Sequence, residues 1–116
     1  MGIRYSTALG TVAMAMAIAA CGNHTAGTES AARGEAYAEA HCAHCHAVGE
    51  TGESPYVPAP PFRTLSSRYP VENLAEALAE GIGVGHTGDV QMPEFVLTPE
   101  EIDDLIAYLT VVGAPR

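Results

Sequence analysis

The stretch Cys42-Ala43-His44-Cys45-His46 decides how this chain folds. It sets two thiols three positions apart and follows the second thiol directly with an imidazole. On a helical turn, side chains three and four positions apart lie on the same side, so Cys42, Cys45 and His46 can all reach one group. The rest of the chain must then fold around the group that this turn holds.

Two thiols and a histidine in the pattern Cys-x-x-Cys-His are typical of covalent haem attachment. Thiols at this spacing can reach two neighbouring vinyl groups of one porphyrin and form two thioether bonds. His46 follows one turn after Cys42, so its imidazole would lie beneath the iron that those bonds hold in place. The sequence therefore predicts one covalently attached haem c, bound through Cys42 and Cys45, with His46 as an iron ligand.

Two other uses of the cysteine pair compete with haem on the motif alone. A structural zinc ion needs four ligands, but Cys45 and His46 are adjacent and the chain has no second pair of cysteines. A thioredoxin-like redox pair is typical of a βαβ unit, and no segment of the sequence alternates as a strand does. The haem interpretation accounts for more of the sequence than either alternative.

An iron bound on one face by His46 needs a second ligand on the other face, and Met92 is placed to provide it. Met92 follows a glycine-rich stretch, residues 81–90, and directly precedes Pro93. Methionine fills cores more often than it binds metals, so the prediction depends on its position. His86, within the glycine-rich stretch, is the rival ligand, and its other interpretation is an exposed loop histidine.

Helical patterns dominate the chain after residue 30. Residues 30–45 are rich in Ala and Glu and predict a first helix. Residues 49–61 contain four prolines, a density that only a loop tolerates. Residues 62–68 have room for one short helical turn, and residues 70–80 predict a helix that starts at a proline and stops at Gly81.

The last helix has the clearest pattern. Thr98-Pro99-Glu100-Glu101 is a capping box with proline in the first turn. Apolar residues then recur at helical spacing: Ile102, Leu105, Ile106, Leu109 and Val112. The predicted fold class is all-α, a small domain of three to four helices wrapped around one haem. With no Trp and two Phe in the chain, the haem would supply much of the core, so we expect the apo-protein to be largely unfolded.

From about residue 32 to residue 112, the chain resembles the bacterial class I cytochromes c, which carry one haem. The resemblance rests on the haem motif at residues 42–46, Ala59-Pro60-Pro61-Phe62, Met92-Pro93 and the helix that follows Thr98. It implies a cytochrome c-like fold in which the Pro60 carbonyl accepts the Nδ1 proton of His46 and Phe62 packs on the porphyrin. It also implies His46 and Met92 as the two iron ligands.

Three further residues match the family where its first and last helices cross. Gly34 and Tyr37 precede the haem motif as the family's glycine and aromatic residue do. Tyr108 would be the partner aromatic residue in the last helix. The resemblance therefore implies that the two ends of the domain pack against each other and close the haem pocket.

The first 20 residues have the proportions of a signal peptide. Residues 8–20 are small and apolar, but a bilayer span takes about 20 such residues. The run ends at Ile18-Ala19-Ala20-Cys21, which resembles the lipobox of bacterial lipoproteins and implies lipidation of Cys21. An ordinary secretory leader, which would leave a soluble periplasmic protein, is the other interpretation. Residues 21–30 are polar and rich in Gly and Thr, which predicts a flexible tether before a haem domain at residues 31–116.

The charge balance narrows the possible partners. The formal net charge is -9, with 14 acidic and five basic residues, and every basic residue is arginine. Such a surface repels nucleic acid and favours redox partner proteins with a basic docking face. Contact with the membrane would go through the lipid anchor. Arg63 and Arg68 are either partners of a haem propionate or ordinary surface residues.

His/Met ligation fills both axial positions of a haem iron and raises its reduction potential. No position is left for a small-molecule substrate, so we expect a single-electron carrier between respiratory or periplasmic redox proteins and not an enzyme. The expected location is the bacterial periplasm, with the lipid in the membrane. Two alternatives stay open: a ligand-binding or sensing haem protein with a labile Met92 ligand, and a fixed cytochrome subunit of a dehydrogenase or oxidase complex.

Overall fold

A computed structural model describes residues 1–2, 22–81 and 92–115. These ranges hold three α-helices, α1 (Gly22–His41), α2 (Leu74–Glu80) and α3 (Pro99–Val112). Two short 3-10 helices, Phe62–Ser67 and Val71–Asn73, come between α1 and α2. The helices confirm the predicted all-α fold class.

Helix α1 starts earlier and ends earlier than the predicted helix at residues 30–45. The structure has residues 22–30 in α1, so the segment predicted to be a flexible coil is helical. No proline interrupts residues 22–41, and a helix that is already packed extends by one hydrogen bond per added residue. The leader and the predicted lipidation site, Cys21, lie in residues 3–21, outside the described residues, and the tether role of residues 21–30 stays a prediction.

Helix α3 begins at the predicted capping box. The backbone N–H of Glu101 donates to Thr98 Oγ1 over 3.3 Å, and the N–H of Thr98 donates to Glu101 Oε2 over 2.8 Å. These two bonds satisfy two of the backbone N–H groups that have no partner within the helix. The predicted apolar face is buried or packed against the core: Ile102, Leu105, Ile106, Leu109 and Val112.

Helices α1 and α3 cross in close contact at Gly34, as the resemblance implies. A Cβ atom at residue 34 would overlap the carbonyl of Asp104 and would lie 2.9 Å from the Cβ atom of Tyr108. Only glycine allows the two backbones to approach this closely. The crossing therefore fixes the end of α1, and with it the turn that carries the haem motif.

A polar cluster that the sequence does not predict joins the same two helices. The Arg33 guanidinium donates from Nε to Asp104 Oδ2 over 2.7 Å and from Nη2 to Oδ1 over 2.8 Å. Ser30 Oγ donates to Asp104 Oδ1 over 2.6 Å. The bonds from Arg33 and then Ser30 hold the pKa of the Asp104 carboxyl below its usual value. Asp104 is only 7% exposed, so these bonds compensate for its burial.

The middle of the chain folds close to its predicted pattern. Residues 49–61 form a loop, and a 3-10 helix follows at the predicted short turn. After Pro70, the structure has a tight 3-10 turn before α2 begins at Leu74, where the sequence predicts one continuous helix. Gly81 ends α2 with a φ of 85°, which glycine adopts without strain.

The hydrophobic core lies among α1, α3 and the segments between them. Its buried members come from every helix: Ala38, Cys42, Phe62, Leu65, Val71, Leu78, Leu97, Ile102, Leu105, Tyr108, Leu109 and Val112. Among the described residues, no helix is long and apolar enough to cross a membrane. The core is open on one side, where the haem motif faces the segment from Met92 to Leu97.

Candidate functional site

A crevice made of two adjoining cavities lies beside the haem motif. The inner cavity has a volume of about 130 Å³ and the outer cavity about 250 Å³. Cys42, His46, Met92 and Phe95 line both cavities, so the two are parts of one crevice. The crevice therefore brings together the predicted attachment and ligand residues from two distant parts of the chain.

The haem motif forms a tight turn directly after α1. The backbone N–H of Cys45 and that of His46 both donate to the Cys42 carbonyl, over 3.1 Å and 2.9 Å. The N–H of Cys42 itself donates to the Ala38 carbonyl over 2.8 Å. The chain thus keeps winding past the end of the helix, which puts both thiols and the imidazole on one wall of the crevice.

The orientation of His46 is fixed by a proline carbonyl. His46 is 8% exposed, and its Nδ1 atom lies 2.8 Å from the Pro60 carbonyl oxygen. Because a carbonyl only accepts, Nδ1 carries the hydrogen, and this tautomer places the metal-binding lone pair on Nε2. The hydrogen bond that the resemblance implies between these two residues is confirmed.

Phe62 packs beside His46 on the same wall. The two ring centroids are 5.1 Å apart at an interplanar angle of 53°, and Phe62 is 7% exposed. Its backbone N–H donates to the Ala47 carbonyl over 2.9 Å, which closes the proline-rich loop onto the haem motif. Phe62 also lines the inner cavity, so the predicted position against the cofactor is available to it.

Met92 is the first residue of the described range 92–115, and it lies in the crevice with His46. It is half-buried and lines both cavities, as His46 does. Residues 82–91 lie outside the described residues. They include the rival ligand His86 and all of the glycine-rich stretch except Gly81. The structure thus places Met92 at the crevice, and its role as an iron ligand stays a prediction.

Cys42 does not have the environment of a redox-active thiol. Cys42 is 8% exposed, and neither Cys42 nor Cys45 is in a disulfide. Burial, with a smaller effect of nearby Cys45, raises the pKa of the Cys42 thiol to about 11. A thioredoxin-like pair works through a lowered thiol pKa, so the structure speaks against that alternative.

The zinc alternative finds no site in the part of the chain that the structure describes. No group of three or more His, Cys, Asp and Glu side chains is placed there to hold a metal ion. The crevice instead offers the buried imidazole of His46, the Met92 thioether and two thiols above an apolar lining, with the exposed His41 and His44 at its outer cavity. This donor set suits an iron that a flat apolar ring surrounds, and the residues present fit a covalently attached haem.

The inner cavity is almost entirely apolar. Beyond the shared residues, it is lined by Tyr37, Pro60, Phe62, Leu65, Tyr69, Leu74, Leu78, Leu97, Leu105 and Leu109. Arg63 and Arg68 line neither cavity; Arg63 borders a separate surface depression beside Thr110. Arg63 Nη1 is nevertheless buried without a hydrogen-bond partner among the described residues, so the pairing of either arginine with a haem propionate stays a prediction.

Sequence reasoning missed two sets of contacts that hold the crevice in place from behind. Tyr108, on α3, donates its hydroxyl to the Val48 carbonyl over 2.9 Å, which fixes the chain just after the haem motif. Asp104 fixes α3 on α1 through Arg33 and Ser30. Nothing in the local pattern marks Asp104, since its partners lie more than 70 positions away in sequence.

Comparison with known proteins agrees with this geometry. The sequence model of the family described as Cytochrome c matches residues 31–112, which is well over half of the chain. Searches of curated proteins and of solved structures found no match. Members of the family bind an iron-containing haem c, which is attached to the protein by covalent thioether bonds. Cys42, Cys45 and His46 fit the attachment motif. The chain therefore belongs to the cytochrome c family.

Proposed function

We propose that the protein is a single-electron carrier whose haem c is bound by Cys42 and Cys45 and ligated by His46 and Met92. One observation carries the proposal: His46, held in one tautomer by Pro60, lines the same crevice as Met92. Haem iron with His/Met ligation supplies one-electron redox chemistry at a raised potential. Both axial positions are then filled, which favours electron transfer over catalysis.

The chain's own residues do three things at this site. The Pro60 carbonyl keeps the Nδ1 proton of His46 in place and so makes the imidazole a better ligand. Apolar side chains such as Leu105 and Leu109, 4% and 2% exposed, exclude water from the inner cavity. A low-dielectric surround strengthens electrostatic interactions, so charges near the crevice affect the reduction potential more than they would in water.

The outer cavity is the face where we propose that electrons enter and leave. His41, His44 and Tyr56 line it with the two cysteines, and both histidines are exposed. Val57 and Val96, directly next to lining residues, are 91% and 94% exposed. Transient redox encounters bury small interfaces, and a small patch of this kind suits them.

We further propose that the protein works in the bacterial periplasm, held to a membrane by lipid on Cys21. The lipobox-like end of the leader supports this location, and the third cysteine then has a use. The net charge of -9 favours redox proteins that present a basic face. Mass spectrometry of the N-terminal peptide from the membrane fraction tests the anchor: an unmodified or absent Cys21 would leave a soluble periplasmic protein.

The decisive experiment is a set of spectra of the purified holoprotein, oxidised and reduced, with a pyridine haemochrome assay. We expect one haem with two thioether bonds and the charge-transfer absorption that methionine ligation gives to ferric haem. Slow carbon monoxide binding by the ferrous protein is expected, because Met92 must leave first. Rapid binding would contradict the carrier and favour a sensing protein with an open iron.

A further inference from the structure

A second groove lies between α1, α3 and the loop that carries Glu50. It has a volume of about 270 Å³, and no described residue lines both this groove and the crevice. Its floor is apolar, formed by the buried residues Ala31, Tyr108 and Val112. Val111 also lines the groove and is 60% exposed.

The groove has an acidic rim. Glu35 of α1 and Glu50 of the following loop line it, and both are exposed. Glu39, one turn after Glu35, belongs to the same field, because the pKa of the Tyr108 hydroxyl is raised by burial and then by these three carboxylates. Among the described residues that line the groove, none is basic.

We propose that this groove docks a polypeptide partner that presents an apolar side chain flanked by Lys or Arg. Charge complementarity selects this occupant over the others. A second copy of the chain carries the same net charge of -9 and the same carboxylates, so it is repelled. An anionic lipid surface is repelled for the same reason.

The proposal goes beyond the electron carrier itself. Because the groove and the crevice have no residue in common within the described part of the chain, a partner bound at the groove leaves the outer cavity open. The cytochrome is then held by one protein through α1 and α3 while it exchanges electrons with another through the haem edge. Such a holding contact is what a cytochrome subunit of a larger complex requires.

The test is a titration of the ¹⁵N-labelled, reduced holoprotein with a synthetic helical peptide that carries Leu on one face and Lys on the other. Two control peptides separate the contributions: one replaces Lys by Glu, and the other replaces Leu by Ser. At physiological ionic strength we expect saturable binding of the Leu/Lys peptide only. The amide signals that move should be those of Ala31, Ala32 and Val111.

Two exposed substitutions locate the binding without threatening the fold. Val111→Ser should weaken the peptide about tenfold, the effect of one lost valine contact, and Glu35→Gln should weaken it less. Glu76→Gln is the matched control, since it removes the same charge from an exposed position on α2 and should leave binding unchanged.

Three results would overturn the proposal. Signal changes confined to His44 and Tyr56 would place the peptide at the crevice. Equal weakening by Glu35→Gln and Glu76→Gln would reduce the binding to non-specific attraction. Self-association of the protein alone, abolished by Val111→Ser, would assign the groove to a second copy. None of these results depends on Met92 ligation, so they leave the electron-carrier proposal untouched.

Discussion

The crossing of α1 with α3 and the haem crevice are two parts of one core, built in contrasting ways. At the crossing, the chain fills its own space: no room is left for even a Cβ atom at Gly34. At the crevice, side chains line a space that they do not fill. The first region holds the ends of the domain together, and the second holds a cofactor.

This contrast separates two kinds of sensitivity. At the crossing, the backbones of the two helices meet at Gly34, so an added atom there has nowhere to go. The crevice residues act on a bound group, so a lost side chain changes ligation before it changes the fold. Substitutions at the crossing should therefore change the stability first. Substitutions at the crevice should change the absorption spectrum first.

The largest effect is expected from Gly34→Val at the crossing. The new side chain would overlap the Asp104 carbonyl and press on Tyr108, which separates α1 from α3. We expect the free energy of unfolding to fall by about 3 kcal/mol or more, with little folded holoprotein recovered. Thermal unfolding followed by circular dichroism measures the loss.

Gly27→Ala is the matched control on the same helix. A Cβ atom at residue 27 meets nothing within 4 Å, and alanine favours a helix over glycine by about 1 kcal/mol. A gain in stability would also support the helical conformation of residues 22–30. Equal destabilisation by both substitutions would mean that the crossing is not the tight contact described above.

Met92→Ala should change the absorption spectrum of the haem while the domain stays folded. We expect loss of the methionine charge-transfer absorption, a lower reduction potential and rapid carbon monoxide binding. Stability should fall by about 2–3 kcal/mol, as for other half-buried methionines that are truncated. Val96→Ala, at a 94% exposed neighbour, should change none of these. An unchanged spectrum in Met92→Ala would transfer the ligand role to another residue, with His86 the first to examine.

Much of the fold is predictable because its signals are local. The capping box at Thr98, the proline-rich loop and the stop at Gly81 each depend on residues within a few positions of one another. The haem motif is local too, since Cys42 and His46 lie one turn apart. The bond from His46 to Pro60 spans 14 positions, and only the family resemblance made it predictable.

The unpredicted parts depend on tertiary contacts. Asp104 stands beside Leu105 on an amphipathic helix, and only the approach of α1 brings Arg33 and Ser30 to it. The early start of α1 also escaped prediction, because composition favours a coil in residues 22–30 while the packed part of the helix extends into them. Arg63 is a further case: its residue type does not reveal that its Nη1 atom is buried without a partner among the described residues.

A smaller effect is expected from Gly81→Ala, at the end of α2 beside Glu94. Gly81 has a positive φ of 85°, and a Cβ atom there would lie 2.6 Å from Glu94 Oε1. The backbone conformation alone should cost alanine about 1–2 kcal/mol. Glu94 is two residues after Met92, so its displacement should also speed carbon monoxide binding to the ferrous protein.

Gly49→Ala provides the control for Gly81→Ala. Residue 49 lies in a loop with nothing within 4 Å of a Cβ atom and without a positive φ. It should leave carbon monoxide binding and stability close to wild type. If Gly81→Ala lowers stability but leaves the binding rate unchanged, the contact with Glu94 does not position Met92.

The smallest effect at neutral pH is expected from Asp104→Asn, because the Arg33 side chain is 56% exposed and its pairing is screened by solvent. The direction in which this substitution changes the pH dependence of stability is nevertheless specific. The pKa of Asp104 is lowered in the folded protein by Arg33 and Ser30, so the carboxylate stabilises the fold above its unfolded pKa of about 4. That stability is lost as the pH falls through the folded value. Urea unfolding of the holoprotein across the acid range should show that Asp104→Asn loses less stability than wild type as the pH falls.

Asp103→Asn is the control, because it removes the same charge from an exposed neighbour, and it should keep the wild-type slope. Parallel curves for all three proteins would mean that Asp104 does not contribute to the acid response.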